Sequence, residues 1–564
     1  MFCIKKHIVI IVFLSAGLSG LWAVPARKGG ITVTDQDGKS LRVYLHGDEY
    51  VHWMTDGMGR AVQENADGTY SITTAGPAKS VAVRHRMAQR SVSQASSSTA
   101  RPLNLAPKGL VLLTAFSDKA FATDIAEIDS MLNGRNYTRN YNYVDTDGRH
   151  AVRSRGSAAQ YFKDQSDGAY VPQFVVRGPY TISKQATYYG QNDLWGNDQY
   201  AEDMIAETCQ LAAEDGVDFS EFDNDGDGDI DFVYVIYAGF GEADGGPSGT
   251  VWPHNYRMDQ YYYLPTREGG RGQAEVVLNG KRLNKYSCSN EINYANNRHT
   301  GIGSFCHEFS HVLGLPDLYE TTGNGNWKTM GYWDVMDYGP YCNDGNTPPN
   351  YSGYERFFFG WLKPRVLNEP EQVTLGELSA TQSVLMVTAT GQHNLIGNDP
   401  NPAVFYLLEN RQQTGWDEYI PGHGLMITKV QYSYNKWNNN EVNNTQRSLG
   451  VDLIEADGKA PTYSSFNYDN GFTGKATDLF PAGATSFKPF PNYPLDDITE
   501  ADGVISFRFM EQKTALDAWK KDKENILAVY DMLGRQIRTD IDRLPHGIYV
   551  VSTTKGRYTI RIAQ

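Results

Sequence analysis

Two histidines four residues apart, His307 and His311, enclose the acid Glu308, and this spacing constrains the fold more than any other feature. On a helix, side chains at positions i and i+4 lie on one face, so the two imidazoles can bind one Zn²⁺ ion. Glu308 then points beside the metal, where a carboxylate can take a proton from water and return it to a leaving amine. Flanking apolar residues, among them Phe305 and Val312, predict that this helix packs into a core.

The residues after this motif supply what a metal site still needs. Gly314 can end the helix in a left-handed turn, and Pro316 prevents the helix from resuming. The chain then returns toward the metal with two acids, Asp317 and Glu320, which lie six and nine residues after His311. Either acid can be the third ligand, and the spacing alone leaves the choice open.

A methionine follows in the segment Trp333-Asp-Val-Met-Asp-Tyr-Gly, which presents Met336 as the Met-turn of metzincins does. Two residues further on, Tyr338 can donate a hydrogen bond to the oxyanion of a tetrahedral intermediate. The alternative is a helix whose two histidines are ordinary core or surface residues. A glycine, an acid and a methionine in this order are hard to obtain by accident, so we expect a catalytic zinc site.

A second group of acids occupies one short segment: Asp223, Asp225, Asp227 and Asp231. With Gly228 allowing a sharp turn, this segment resembles the first nine positions of a calcium loop. The twelfth position is Tyr234 instead of Glu, so the loop is no complete EF-hand. An acidic turn without a metal is the alternative, but so many neighbouring carboxylates are costly without a cation. We therefore expect a structural Ca²⁺ ion.

The N-terminus predicts export. Lys5 and Lys6 precede the apolar run 8–14, and small residues continue to Ala23, as in a secretory signal peptide. We expect cleavage near Ala23 or Ala26. A membrane span needs ~20 apolar residues, so we expect no transmembrane segment once the signal, 1–23, is removed.

The length and charge narrow the remaining possibilities. At ~150 residues per domain, a chain of 564 residues suggests three or four domains. The formal net charge is −15, and the acids are dispersed, which argues against nucleic acid and anionic membranes because both select basic patches. The cysteines after the signal permit two disulfides or remain buried thiols. They are Cys209, Cys288, Cys306 and Cys342.

Residues 24–105 are predicted to be a propeptide and its linker. Short strands and Gly/Asp turns fill 27–82, whereas the Ser-rich, Arg-containing stretch 84–101 cannot bury enough apolar area to fold. An exposed basic stretch of this kind is also what a processing protease needs. A cysteine latch over the metal is excluded, because no cysteine lies between the signal and Cys209. Three residues of the propeptide can block the zinc or be ordinary turn residues: His46, Asp48 and Glu49.

Residues 106–365 are predicted to be an α+β catalytic domain, a mixed sheet with an active-site helix. The apolar runs 108–116 and 232–238 are typical of strands covered on both faces, and 201–213 has helical spacing. A β-rich domain is expected over 366–512.

A small β unit is expected over 513–564. A turn at Gly534 separates two strands in it, and a hairpin turns at Lys555 and Gly556.

The segments 307–319 and 333–339 resemble the immune inhibitor A family of secreted bacterial metallopeptidases. The resemblance runs from about residue 108 to 510, and it implies a zincin domain with a β-rich partner, zinc and calcium. The family pattern favours Glu320 as the third zinc ligand, and its longer side chain can span the extra turn. Asp317 would then brace the active-site loop.

The end of the chain carries a second resemblance. Val529-Tyr-Asp-Met-Leu-Gly-Arg-Gln and Gly547-Ile-Tyr-Val-Val are similar to the sorting domains of type IX secretion cargo. This resemblance implies a secretion machinery as partner and passage through the periplasm to the cell surface or the medium.

We therefore expect a monomeric, secreted zinc-dependent endopeptidase, made as a zymogen and acting on extracellular protein or peptide substrates. One alternative is a cell-surface binding protein on an inactive zincin scaffold, with a groove lined by some of the 36 Tyr and 10 Trp. The other is an amidase of cell-wall peptides. Glu308 separates the first alternative from an enzyme, because a binding scaffold needs no base.

Overall fold

The structure is a computed structural model that describes most of the chain from Val24 to Ile562. The described residues are 24–49, 52–73, 107–145, 148, 150–192, 198–258, 276–322, 327–459, 474–510, 526–537, 544–553 and 556–562. The predicted signal peptide, 1–23, and the predicted Ser-rich linker, 84–101, lie outside these ranges.

The first strands form a small antiparallel sheet in the order β1-β2-β3-β4-β5. They are β1 (Ile31–Thr34), β2 (Ser40–Gly47), β3 (His52–Asp56), β4 (Ala61–Glu64) and β5 (Tyr70–Ile72). Gly38 and Gly68 turn the chain with φ near +78°, a conformation that only glycine adopts readily. The inner face of this sheet packs on Ala243 and Trp252, so its core is completed by the segment that follows.

The next segment alternates strands and helices. Its strands are β6 (Lys108–Ala115), β7 (Asn140–Val144), β8 (Ala151–Arg153), β9 (Gln173–Thr181), β10 (Asp229–Ile230), β11 (Val233–Phe240), β12 (His254–Arg257), β13 (Val277–Leu278), β14 (Lys281–Leu283), β15 (Lys285–Asn293) and β16 (Arg298–His299). Its helices are α1 (Ile125–Asn133), α2 (Ala158–Gln165), α3 (Ala186–Tyr189), α4 (Ala201–Glu214), α5 (Gly303–Val312) and α6 (Gly353–Phe358).

The main sheet has the order β12-β15-β11-β6-β9, with β16 beside β15. β9, β6, β11 and β15 are parallel, and β12 runs antiparallel to β15. Alternate residues of β6 enter two different cores, Val111 and Leu113 on one face and Leu110 and Leu112 on the other. This two-sided burial explains the continuous apolar run and confirms the predicted buried strands.

Helices cover both faces of this sheet. α5 packs on one face through Phe305 and Phe309, whereas α4 packs on the opposite face through Met204 and Ile205. The helix predicted over 201–213 is confirmed. The arrangement is the mixed α+β architecture that the sequence indicated.

The β-rich segment consists of two stacked sheets with the orders β17-β19-β20-β21-β22 and β18-β25-β24-β23. Its strands are β17 (Arg365–Val366), β18 (Glu371–Leu375), β19 (Leu385–Thr388), β20 (Val404–Arg411), β21 (Gly424–Gln431), β22 (Val451–Leu453), β23 (Phe487–Phe490), β24 (Tyr493–Ala501) and β25 (Val504–Phe509). The short helices α7 (Leu378–Thr381) and α8 (Tyr434–Asn438) connect them. Phe405, Leu407 and Met426 join the same hydrophobic core as α5, so the β-rich segment packs directly against this helix.

The C-terminal strands form their own sheet in the order β27-β26-β28-β29. They are β26 (Ile526–Asp531), β27 (Gln536–Ile537), β28 (Gly547–Thr553) and β29 (Gly556–Ile562). Gly534 turns the chain between the first two with φ +78°. Val529, Tyr549, Val551 and Ile560 form a separate small core.

The cysteines after the signal are all described, and each is a buried free thiol. The second of the two alternatives for them, buried thiols instead of disulfides, is therefore the one observed. Among the described residues, no helix combines the length and the apolar character that a membrane crossing requires.

Candidate metal centre

Helix α5 directs His307 and His311 toward each other in a buried site. Their Nε2 atoms are 3.0 Å apart, and both side chains have no exposed surface. The Nδ1 atom of His307 lies 2.8 Å from the carbonyl oxygen of Val335, and that of His311 lies 2.7 Å from that of Leu315. A carbonyl only accepts hydrogen bonds, so each Nδ1 carries the proton and each Nε2 presents a lone pair. Two lone pairs this close call for a cation between them.

Asp317 supplies the third atom of the cluster. Its Oδ1 lies 3.2 Å from His307 Nε2 and 3.3 Å from His311 Nε2, and the carboxylate is fully buried. The three potential ligand atoms lie within 4.8 Å of one another. Two imidazole nitrogens and one carboxylate oxygen are a donor set that Zn²⁺ takes in catalytic sites, so these residues fit the ion.

The protonation states of this cluster also suit a divalent cation. Burial is the main cause that lowers the pKa of His311, which favours the neutral ligand form. Burial alone would raise the pKa of Asp317, but the imidazoles of His311 and His307 outweigh it and lower that pKa to about 2. The site therefore holds an ionised carboxylate beside a neutral imidazole.

Glu320 lies outside this cluster. Its Oε1 accepts hydrogen bonds from the amide of Thr322 at 2.7 Å and from the Thr322 hydroxyl. The reason is that Gly314, at φ +106°, reverses the chain at once, so the first acid after the turn already reaches the histidines. The structure thus places Asp317, and not Glu320, beside the two histidines, whereas the sequence analysis favoured Glu320 as the third ligand and Asp317 as a brace of the loop.

A residue that the sequence analysis missed, Asn440, fixes Asp317 in place. Asn440 Oδ1 accepts from the Asp317 amide at 2.7 Å, and its Nδ2 donates to Asp317 Oδ2 at 2.6 Å. These bonds leave Oδ1 of Asp317 facing the two imidazoles. Asn440 belongs to an asparagine-rich loop of the β-rich segment, and no local pattern relates it to an acid 123 residues earlier.

Glu308 lies beside the cluster, fully buried. Burial is the main cause that raises its pKa well above the usual value, and the carboxylates of Asp317 and Glu49 add to it. The Val24 amide donates to Glu308 Oε1 at 3.0 Å and acts in the opposite direction. A carboxyl group whose pKa is raised in this way can serve as base and then as acid near neutral pH.

The segment 24–28 runs through the cleft over Glu308. Trp252 Nε1 donates to the Val24 carbonyl at 3.1 Å, and the Tyr341 hydroxyl donates to the Pro25 carbonyl at 2.6 Å. Further along, the Arg27 amide donates to the Ala243 carbonyl at 2.9 Å. Main-chain groups of the segment are thus bound as those of an extended peptide are.

The three residues of the predicted propeptide that could block the metal have different surroundings. His46 Nε2 is hydrogen-bonded to Thr55 Oγ1 at 2.8 Å inside the small sheet, and the Asp48 carbonyl lies 3.2 Å from His52 Nδ1. Glu49 acts on Glu308 through its charge. The direct contact with Glu308 comes from Val24, which lies next to the predicted signal cleavage site and carries no sequence signal for this role.

Met336 and Tyr338 flank the site from the following turn. The Met336 carbonyl accepts from the Leu318 amide at 2.8 Å, which joins this turn to the loop that carries Asp317. The Tyr338 ring is buried, and Lys28 Nζ lies 4.7 Å from its centroid. Tyr338 therefore borders the cleft that the segment 24–28 crosses.

The acidic loop brings together part of the predicted calcium set. Carboxylate oxygens of Asp223, Asp225 and Asp227 lie within 4.8 Å of one another, and Lys281 Nζ lies 2.6 Å from Asp223 Oδ2. Asp231 is outside this group, because its Oδ2 accepts hydrogen bonds from the backbone amide and the side-chain Nδ2 of Asn224.

Comparison with known proteins relates this site to one family. The family described as immune inhibitor A peptidase M6, catalytic domain, matches residues 104–362. The pre-pro-metalloprotease PrtV of Vibrio cholerae is 28% identical over an alignment of 255 residues, and the match covers 42% of this chain and 27% of that protein. Immune inhibitor A of Bacillus thuringiensis subsp. alesti is 29% identical over an alignment of 222 residues, and the match covers 36% of this chain and 31% of that protein.

The chain thus spans less than a third of the length of each of these curated relatives. The matched region contains α5, both histidines, Glu308 and Asp317. Residues 104–362 are therefore similar to the catalytic domain of the immune inhibitor A peptidases, and one of the similar proteins is named a metalloprotease.

Proposed function

We propose that this chain is a secreted zinc-dependent endopeptidase, made as a zymogen, that hydrolyses peptide bonds of extracellular proteins. The observation that carries the proposal is the convergence of His307, His311 and Asp317 beside the buried carboxyl group of Glu308. A binding scaffold has no use for a base at this position.

His307, His311 and Asp317 would hold the metal. When bound there, Zn²⁺ lowers the pKa of a water molecule and polarises the substrate carbonyl as a Lewis acid. Glu308 takes the proton of the attacking water and returns it to the leaving amine, a role that its raised pKa supports. The Tyr338 hydroxyl donates to the oxyanion of the tetrahedral intermediate.

The zymogen form is supported by the residues that occupy the cleft. Val24 and Ala26 have no exposed surface, and the Val24 amide binds the oxygen of Glu308 that would accept the proton of water. Substrate and the segment 24–28 therefore compete for the same groups. Removal of residues 24–105 would open the cleft.

Two further roles are part of the proposal. The carboxylates of Asp223, Asp225 and Asp227, with Asp231 close by in sequence, would bind a structural Ca²⁺ ion, as their convergence supports. The C-terminal strands would serve as a sorting unit for type IX secretion, and their separate core supports an independent role.

The test is hydrolysis of casein. The protein is prepared as the full-length chain and is assayed after limited proteolysis has released its N-terminal segment. We expect activity that disappears when a chelator removes the metal and returns on addition of one equivalent of Zn²⁺. The uncleaved protein is the control, and it should be far less active. Undiminished hydrolysis by protein from which the metal has measurably been removed would contradict the proposal.

A further inference from the structure

The side chain of Arg27 is buried in a pocket formed by residues of the region 104–362. Its Nη2 donates to Asp344 Oδ1 at 2.5 Å, and the exposed fraction of the side chain is only 9%. Its guanidinium carbon lies 5.9 Å from the centroid of the Tyr341 ring. Burial lowers the pKa of Arg27, but the carboxylates of Asp344 and Asp244 outweigh it and raise that pKa. The pocket thus stabilises a buried positive charge.

Asp344 and Asp244 are held in place by other residues of the region 104–362. Asp344 Oδ2 accepts from Asn296 Nδ2 at 3.1 Å, and Asp244 Oδ2 accepts from Asn290 Nδ2 at 2.9 Å. Asp344 also has φ +52°, which non-glycine residues adopt only where the surrounding structure fixes it. These restraints do not involve Arg27, so the acids should keep their positions when the segment 24–28 leaves.

An ion pair that merely fastens the propeptide is the simpler explanation, but it is a poor one energetically. A buried ion pair pays a large desolvation penalty, and apolar residues of similar volume often stabilise a contact as well or better. Val24 and Ala26 already provide such apolar contacts with Ala243 and Trp252. The buried charge of Arg27 is therefore better explained by a pocket that favours a basic side chain than by a need to fasten the segment.

The position of the pocket relative to Glu308 follows from the hydrogen bonds of the segment. Glu308 returns a proton to the leaving amine, so the Val24 nitrogen, 3.0 Å from Glu308 Oε1, occupies the place of that amine. Val24 then corresponds to the first residue after the scissile bond, and Arg27 corresponds to the fourth.

We propose that Asp344, Asp244 and Tyr341 form a specificity subsite that takes a basic side chain at the fourth residue after the scissile bond. This inference rests on the proposed function, because only a peptidase with an open cleft presents the subsite to substrates. Arginine should be preferred to lysine, since a planar guanidinium matches both a carboxylate and an aromatic face.

The first test measures binding and needs no catalysis. The peptide Val-Pro-Ala-Arg-Lys, which copies residues 24–28, is titrated into the proteolytically activated full-length protein, beside the same peptide with citrulline for arginine. Citrulline keeps the shape and removes the charge, so we expect binding about 10-fold weaker or more, the loss typical of a close charge pair. Equal affinity of the two peptides for the wild-type protein would overturn the proposal.

Variants locate the effect. Asp344→Asn should reduce the preference for the arginine peptide to about twofold or less, because the neutral amide retains the shape but not the charge. Asp244→Asn should reduce it in part. Asp129→Asn, an exposed acid on α1, should leave it unchanged. A preference that persists in both pocket variants would place the subsite elsewhere.

The second test measures hydrolysis of fluorogenic peptides that carry arginine or glutamine at the fourth position after a fixed scissile bond. We expect kcat/KM to favour arginine about 10-fold, with the preference lost in Asp344→Asn and retained in the control Asp129→Asn. Selective binding without cleavage of either peptide would contradict the proposed function alone. Equal cleavage and equal binding would contradict the subsite alone.

Discussion

Replacing Asn440 with alanine should weaken zinc binding although Asn440 is no metal ligand. The side chain of Asn440 makes two hydrogen bonds to Asp317, one with its amide at 2.7 Å and one with its carboxylate at 2.6 Å. Alanine removes both bonds inside a buried site, because Asn440 is only 2% exposed. Asp317 would then lose the contacts that aim its Oδ1 at the histidines.

The magnitude follows from these two contacts. A hydrogen bond to a charged group contributes about 1.5–3 kcal/mol, and a neutral one contributes about 1 kcal/mol. Part of this loss falls on folding, and the part that falls on the metal is typically a factor of about 10–100 in affinity for residues that orient ligands. We therefore expect the Kd for Zn²⁺ to rise about 10-fold to 100-fold, which is about 1.4–2.8 kcal/mol.

The assay is competition for Zn²⁺ between the full-length protein and a chromophoric chelator, with circular dichroism to verify folding. Asn444→Ala is the matched control, since Asn444 lies in the same loop but bonds to Thr321 instead of Asp317. Its Kd should stay within about threefold of the wild-type value, as expected for a residue that does not orient a ligand. A folded Asn440→Ala protein with wild-type affinity would show that Asn440 does not orient Asp317 for the metal.

Two further predictions concern the ligand set and the bound N-terminal segment. Asp317→Ala should abolish stoichiometric zinc in the purified protein, whereas Glu320→Ala should retain it. Mass spectrometry of the metal measures the zinc content, and the reverse result would make Glu320 the ligand. Burial lowers the pKa of His52, but Glu242, 3.1 Å away, outweighs it and raises that pKa from 6.5 to about 9. The charged pair between His52 and Glu242 therefore stabilises docking of the N-terminal sheet, β1 to β5, fully below about pH 6.5. This stabilisation is lost as the pH rises through about 9. Release by limited proteolysis should accelerate between these pH values, and His52→Gln should remove that dependence; an unchanged pH profile in the variant would contradict it.

The sequence predicts the features that depend on neighbouring residues. The pattern of His307, Glu308 and His311 predicts a metal site, because helical spacing alone places the two imidazoles on one face. The strands β6 and β11 can be predicted because both faces of the sheet are covered, which requires an unbroken apolar run. These features need no knowledge of the rest of the chain.

The features that the sequence did not reveal depend on distant contacts. The carboxylate of Asp317 is oriented toward the histidines by Asn440, 123 residues further on. The contact of Val24 with Glu308 joins residues 284 positions apart, and it involves a backbone amide that any residue can offer. A pattern in side-chain types carries no signal for such a contact, so only the folded arrangement shows it.

The variant Glu308→Gln tests whether Glu308 is the base of a zinc peptidase and not one of its ligands. The measurement compares bound zinc and casein hydrolysis of the activated full-length wild-type and variant proteins. We predict that the variant keeps the zinc content of the wild type while hydrolysis falls by a factor of about 100 or more, the usual contribution of a general base. Hydrolysis near the wild-type rate, or loss of zinc in a folded variant, would contradict it.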